Sequence, residues 1–264
     1  MNIVVCIKQV PDTTDVRIDP KTGTLVREGV PSIINPDDRH AVEEGLRIRE
    51  RFGGRVVVLS MGPPQAMDAL MVCRAMGADH CYLISDRAFA GADTLATSYA
   101  LAKAVQATGP WDIVLCGRQA IDGDTAQIGP QMAEALGVPQ VTYCTEIEIN
   151  GMKVEAKRAL EDGYEIIQTE LPALFTVIKD INKTMYPSLE AKVSVCNRCD
   201  VTTWNAEDIG TSPKMIGLNG SPTQVARTFA PEAKGVGQIL RGEPEVVVRN
   251  LVRMLRDKNV VRVR

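Results

Sequence analysis

Residues 117–129, GRQAIDGDTAQIG, hold the densest set of groups suited to a phosphate. Small residues let the backbone approach an anion, Thr125 and Gln127 offer hydrogen bonds, and Arg118 offers a compensating charge. Asp122 and Asp124 oppose phosphate unless they face away or meet a ribose. The loop lacks the Gly-Lys-Ser/Thr ending of a Walker motif, and no G-x-G-x-x-G follows the first strand-like run. From the residues alone two readings stay open: a phosphate-holding loop, or a Gly-rich turn that only joins a strand to a helix. Catalytic constellations are missing. With only two histidines, His40 and His80, and no nucleophile motif beside them, acid–base or acyl-transfer chemistry is disfavoured. The difficult step of any reaction then belongs to a bound cofactor. Cys196 and Cys199 form a C-x-x-C, half of a zinc or redox site, but zinc takes about four ligands and both histidines are distant in sequence. Loop cysteines are the favoured reading.

Such a loop needs a frame, and the first half of the chain supplies one. Ile3 to Ile7 is a β-branched run fit for a buried parallel strand. Asn35-Pro36-Asp37-Asp38 predicts a helix start, with a capping Asn, Pro at the first helical position and acids in the first turn. That helix should stop at Gly53-Gly54. Strands follow at 55–60, 81–84 and 112–116, separated by helices from Pro63-Pro64 to Gly77, over 94–107, and up to Leu136. Strands alternating with helices of this length imply a doubly wound, mostly parallel α/β sheet covered on both faces. Ligands sit beyond the carboxyl ends of such strands, where Cys6 to Val10, Asn35 to Asp38, Met61-Gly62 and the 117–129 loop all fall. Beyond Gly137, turns at Asn150-Gly151 and Asp162-Gly163 predict hairpins, and the strand-like runs up to Ile178 read as antiparallel additions to the sheet or its edge. Residues 182–231 read as an extended arm, and 244–257 as an amphipathic helix with Arg249, Arg253 and Arg256 on one solvated face.

Composition narrows the class. The chain has 264 residues, enough for one large domain or one with appendages. Aromatics are 4%, so the core must rest on Val, Ile, Leu, Ala and Met. A formal charge of −3 argues against a general nucleic-acid binder. No apolar run approaches the roughly 20 residues that span a bilayer, and MNIVVCIKQV enters a strand without a charged leader. A cytoplasmic protein without membrane insertion is expected, with Cys6, Cys73 and Cys116 as reduced, buried thiols.

GRQAIDGDTAQIGP at 117–130 resembles the nucleotide-binding loop of electron-transfer flavoprotein beta subunits. The opening VVCIKQVPD, the helix start INPDDRHAVEEGLRIRE and the segment VLSMGPPQA look like the same family. So does AKRALEDGYEIIQTELPALFT at 156–176, which departs only at Phe175, where an aliphatic residue is expected and a core swap is read. The likeness covers nearly the whole chain. It implies a Rossmann-like fold with an antiparallel hairpin addition and a C-terminal extended arm and helix. Residues 1–181 would bind nucleotide or flavin, and 182–264 would dock partners and wrap the alpha subunit. The resemblance implies nucleotide contacts at Cys6, at Asn35, Pro36, Asp37 and Asp38, and at Met61. On the loop it implies Gly117, Arg118, Gln119, Ala120, Ile121 and Asp122, then Gly123, Asp124, Thr125, Ala126, Gln127 and Ile128. Glu165 matches a position at the subunit interface near the alpha subunit's flavin, with support of the hairpin as the other reading. Tyr186 and Leu189, in YPSL, resemble the loop that docks on partner dehydrogenases; a local staple is the alternative for Leu189.

Ordinary members of that family hold AMP in the beta subunit, whereas electron-bifurcating members hold a second FAD there. SDRAFAGADTLATSYALAKA at 85–104 and GLNGSPTQVARTFAP at 217–231 look like the bifurcating group. Asp93, Thr94, Leu95, Ala96 and Thr97 would then set a helix amino terminus beside a second phosphate or a flavin ring; an ordinary N-cap at Asp93 is the alternative. The resemblance further implies that NADH delivers a hydride to the FAD of this subunit. One electron would run through the alpha-subunit FAD to an acyl-CoA dehydrogenase-type partner, and the other to ferredoxin or flavodoxin, with no side chain acting as acid or base. A reading from another class is a nucleotide-sensing module of the same fold, which would stand alone and lack a partner-wrapping tail.

Overall fold

In the computed structural model, which describes residues 1–12, 31–198, 201–226 and 237–261, the first strand β1 (Asn2–Ile7) is buried on both faces. Ile3, Val5 and Ile7 enter one core, while Val4 and Cys6 enter the other. Two-sided burial is why this run is continuously apolar. A short antiparallel ribbon of β2 (Gln9–Pro11) and β3 (Ser32–Ile34) follows. Then comes α1 (Pro36–Phe52), with Pro at its first turn and Gly53 at φ +71° at its end. Next are β4 (Arg55–Met61), α2 (Met67–Met76), β5 (His80–Ile84), α3 (Thr94–Ala107), β6 (Ile113–Gly117) and α4 (Ile128–Leu136). The second half supplies β7 (Gln140–Asn150), β8 (Lys153–Ala159), β9 (Tyr164–Glu170), β10 (Ala173–Val177), α5 (Leu189–Arg198) and β11 (Val201–Trp204).

Among the described residues these strands form a nine-stranded sheet in the order β11-β5-β4-β1-β6-β10-β7-β8-β9. All pairings from β11 to β7 are parallel, and only β7-β8 and β8-β9 are antiparallel. Ala41, Val42 and Ile48 of α1 and Leu70 and Cys73 of α2 fill the core on one face. Ala100, Leu101 and Val105 of α3 and Met132 of α4 fill the other. The mostly parallel, doubly covered α/β architecture expected from the sequence is therefore present. Cys6, Cys73 and Cys116 are free and buried.

Two local expectations are corrected. β10 is not an antiparallel addition but a parallel strand inserted between β6 and β7, with every residue buried. Leu174 faces one core and Ala173, Phe175 and Val177 the other, so its two-sided burial, with Thr176 its one polar residue, carries the same signature as β1. Phe175 is fully buried, as the core-swap reading requires. The arm expected from 182 onward contains α5, which packs against α2, and β11, which adds to the sheet beside β5. Four residues are too few to show strand periodicity. What seats β11 is the stacking of Trp204 on Tyr82, with ring centroids 3.9 Å apart.

The chain divides into two compact units, Met1–Arg227 and Thr228–Arg264. The second carries α6 (Pro244–Asp257), which begins on Pro, as expected, and buries none of its residues. No described helix is long and apolar enough to cross a membrane.

Candidate functional site

β1 leads through α1 to β4 on one flank, whereas β6 leads through α4 to β7 on the other. The carboxyl ends of β1 and β6 thus form a topological switch point, where diverging loops open a crevice. Asp38, in the first turn of α1, bridges that crevice. Its Oδ2 accepts from the Lys8 N–H at 2.8 Å and its Oδ1 from the Gly117 N–H at 2.9 Å. Burial pushes its carboxyl up to about 7, against the opposing pull of the Lys8 and Gly117 N–H groups and of Asn35; Asp37 beside it adds to the rise. Burial also raises Asp37, against the Arg118 guanidinium 3.6 Å away and His40.

Asn35 departs from the expected role. Its side chain makes no cap to its own helix. Instead Nδ2 donates to the Gln119 carbonyl at 2.8 Å, and Oδ1 accepts from the Ile121 N–H at 3.1 Å. Pro36 removes one N–H from the first turn, and a fully buried amide must be satisfied where partners exist. The 117–128 loop provides them.

The loop itself turns its acids away. Asp122 pairs with Lys8 Nζ at 2.7 Å, and Asp124 accepts from Gln119 Nε2 at 2.8 Å. Asp124 and Ala126 take positive φ, +47° and +52°, which costs a non-glycine residue roughly 1 kcal/mol or more. Ala126 at +52° followed by Gln127 at −105° alternates left- and right-handed backbone, the kind of turn in which successive N–H groups can cradle an anion. Among the described residues the N–H groups of Thr125, Ala126 and Gln127 donate to no protein acceptor. The first N–H groups of α4 lie next to them. Gly123 has open space around it, but Gly117 and Gly129 are glycines for another reason. A Cβ on Gly117 would collide with the Asp38 carboxylate, and one on Gly129 with the Thr176 methyl. Close packing within the protein, rather than approach to a ligand, fixes those two.

A second helix start adjoins the first. The Thr94 hydroxyl donates to Gln127 Oε1 at 2.9 Å and accepts from Gln131 Nε2 at 3.3 Å, which ties α3 to α4. Asp93 Oδ1 accepts from the N–H groups of Leu95 and Ala96, at 3.0 and 3.1 Å. Those two donors, expected to face a ligand, are therefore engaged by the helix's own cap. Asp93 Oδ2 also accepts from the Thr223 N–H and hydroxyl, and the Asp93 N–H donates to Ser221 Oγ. Burial pushes the Asp93 carboxyl up, but the Ala96, Thr223 and Leu95 donors outweigh it and hold it below the usual carboxylate range. Thr97 lies one turn into α3, half-buried, and Met61 ends β4.

The structure thus brings Asn35, Pro36, Asp37, Asp38, Thr94, Arg118 and the rest of the 117–128 loop to one sheet edge. Cys6 lies at the end of β1 with its side chain buried, and burial, with Asp38 adding, raises its thiol far above the ordinary value. Glu165 lies on β9 with its carboxylate 3.9 Å from Arg158 of β8. Tyr186 covers the Arg39 guanidinium of α1 at 3.9 Å, and Leu189 opens α5; both are 78% exposed. Cys196 is exposed, whereas Cys199 and residues 227–231 lie outside the described residues. Sequence reading put Lys8 only within the Cys6 to Val10 segment and did not single it out; its signal is a lysine placed directly after a buried strand. It also passed over Tyr143, which holds φ +59° at the β7 bulge and lies under Arg118, with the guanidinium 5.7 Å from its ring.

A doubly wound sheet with this loop at its switch point places the chain in the Rossmann-like class of α/β proteins. A family model described as "Electron transfer flavoprotein domain" matches residues 22–208. The chain is 55% identical over 261 residues to the electron transfer flavoprotein subunit beta of Thermoanaerobacterium thermosaccharolyticum, covering 99% of this chain and 100% of that one. It is 52% identical over 263 residues to the caffeyl-CoA reductase-Etf complex subunit CarD of Acetobacterium woodii, with 99% and 100% covered. To the acryloyl-CoA reductase electron transfer subunit gamma of Anaerotignum propionicum it is 45% identical over 269 residues, with 99% and 100% covered. The chain belongs to the electron transfer flavoprotein family, as a beta subunit.

Proposed function

We propose that this chain is the beta subunit of an electron-bifurcating electron transfer flavoprotein and holds FAD at the β1–β6 switch point. One observation carries the reading: the starts of α3 and α4 lie side by side, joined through Thr94 and Gln127. Helix amino termini favour anions, and two adjoining ones suit the two phosphates of a dinucleotide better than the single phosphate of AMP. In this reading the N–H groups of Thr125, Ala126 and Gln127 and the first turn of α4 receive the phosphates. Arg118 and the hydroxyls of Thr97 and Thr125 would add charge and hydrogen bonds there, the Thr94 hydroxyl being spent on Gln127 and Gln131, and no side chain serves as acid or base. When bound, the flavin supplies acceptance of two electrons from NADH and their division between acceptors of different potential. The alpha subunit would contribute the other FAD. The acceptors would be an acyl-CoA dehydrogenase-type enzyme, consistent with relatives named for caffeyl-CoA and acryloyl-CoA reductases, and ferredoxin or flavodoxin. Tyr186 and Leu189 offer exposed apolar surface for the dehydrogenase, and residues 182–264 would dock the alpha subunit, in a cytoplasmic complex.

One observation favours the ordinary reading with AMP: Asp93 engages the Leu95 and Ala96 N–H groups and sets a carboxylate where a second phosphate would approach. Cofactor content of the heterodimer decides between them. Two FAD and no AMP supports the proposal, and one of each overturns it.

A further inference from the structure

We propose that Asn35 and Asp38 are positioning residues: from the first turn of α1 their side chains fix the spacing of the β1 and β6 ends and the course of the 117–128 loop, without touching the nucleotide. This rests on the reading of that loop as a nucleotide site. The family resemblance placed both residues in contact with nucleotide, but their polar atoms are engaged elsewhere. Asn35 uses its amide nitrogen on the Gln119 carbonyl and its oxygen on the Ile121 N–H. Asp38 uses one oxygen on Lys8 and the other on Gly117. Exposure is 0% for Asn35 and 6% for Asp38, which leaves little surface for a ligand.

The spacing explains the arrangement. Positions three apart in this first turn lie on one side of it, so the two side chains reach the two strand ends and the loop together. Asp38 holds the peptide units where each strand stops. Asn35 holds the units two and four residues into the loop, just before the Ala120 carbonyl accepts from the Gly123 and Asp124 N–H groups and closes the turn. The strained residues Asp124 and Ala126, and the N–H groups of Thr125 to Gln127, follow directly. A loop with two non-glycine residues at positive φ keeps that shape only if its surroundings over-determine it. Three of these bonds, to Gly117, Gln119 and Ile121, do so at the loop's entrance, the one to Lys8 anchors the end of β1 beside it, and the Lys8–Asp122 pair adds a tie near the loop's apex.

The test uses the full chain co-produced with its alpha subunit, stripped of cofactor, with AMP and FAD as titrated probes and amide hydrogen exchange of the ligand-free protein as the second readout. Asn35→Ala removes both Asn35 bonds. At about 0.5–1.5 kcal/mol each, binding of whichever probe the wild type takes should weaken about tenfold. Exchange should quicken across residues 119–127 while β1, β4 and β6 stay protected. If Asn35→Ala does not fold, Asn35→Asp makes the same comparison, since it keeps an acceptor for Ile121 and loses the donor to Gln119. Unchanged affinity would overturn the proposal. So would faster exchange spread over the whole sheet in step with the lost affinity, which marks general destabilisation. If the wild type bound neither probe, the nucleotide reading would fall, and loop-confined exchange in the variant would still carry the positioning role.

Discussion

The starts of α1 and α3 look alike in sequence and behave differently. Each opens on a short polar residue, Asn35 or Asp93, of the kind that caps a helix. Asp93 does cap its helix and spends its second oxygen on Thr223. Asn35 leaves its helix uncapped and grips a loop more than eighty residues away. Burial separates them: Asn35 is fully enclosed beneath the loop, while Asp93 is half-buried with its helix N–H groups near at hand. A cap motif therefore predicts where a helix begins, and the packing above it decides which backbone the side chain serves.

The largest effect is expected at the carboxylate that stands with Asn35. Asp38→Ala leaves the Lys8 and Gly117 N–H groups without their acceptor. At about 1–3 kcal/mol per buried orphan, unfolding in urea should show a loss of roughly 2–4 kcal/mol. The same carboxyl sets a pH dependence. Its folded pKa of about 7 exceeds its ordinary value of 3.8, so between these values the folded state holds the proton and the unfolded state does not. Its contribution is thus fully present below about pH 4 and is lost as pH rises through 7. Asp37, shifted the same way, adds to this slope, with Arg118, His40 and Lys179 opposing. Urea titrations from pH 4 to 8 should show a shallower slope in Asp38→Asn than in wild type. An unchanged slope would mean that Asp38 is ionised throughout.

Asp93→Ala should have a smaller effect, about 1 kcal/mol as for other lost caps. Its signature should differ in place: exchange should quicken at Leu95, Ala96 and Thr223 and leave residues 119–121 as they were. If Asp93→Ala loosened the 117–128 loop as much as Asn35→Ala, the contrast between the two helix starts would collapse. The smallest effect is expected far from both. Glu165→Gln breaks an exposed pair at 3.9 Å and should change the stability of the isolated chain by under about 0.5 kcal/mol. A clear drop in affinity for the alpha subunit, measured by titration, would then assign Glu165 to that interface rather than to the hairpin.

What could be read from the sequence was local. The β-branched run at Ile3, the Pro36 helix start and the Asn150-Gly151 turn each rest on a few neighbouring residues, and each element appears where expected. The loop could be located because its composition and its place after a buried strand are local as well. β10 was placed wrongly, because its partners β6 and β7 precede it by dozens of residues and a buried parallel strand has no alternation to betray its neighbours. Asn35 was misread for the same reason. Its partners Gln119 and Ile121 sit on another element, and nothing in NPDD distinguishes a side chain that reaches its own N–H groups from one that reaches across.

The far margin of the sheet has a practical consequence for making this protein. Among the described residues β9 stands last in the strand order and bears Tyr164 and Ile166 on exposed surface. A bare strand margin with apolar side chains is a template on which other chains add themselves. Produced without a partner, the chain should lose part of its yield to aggregate, and charged substitutions such as Ile166→Lys should raise the soluble fraction in sedimentation assays.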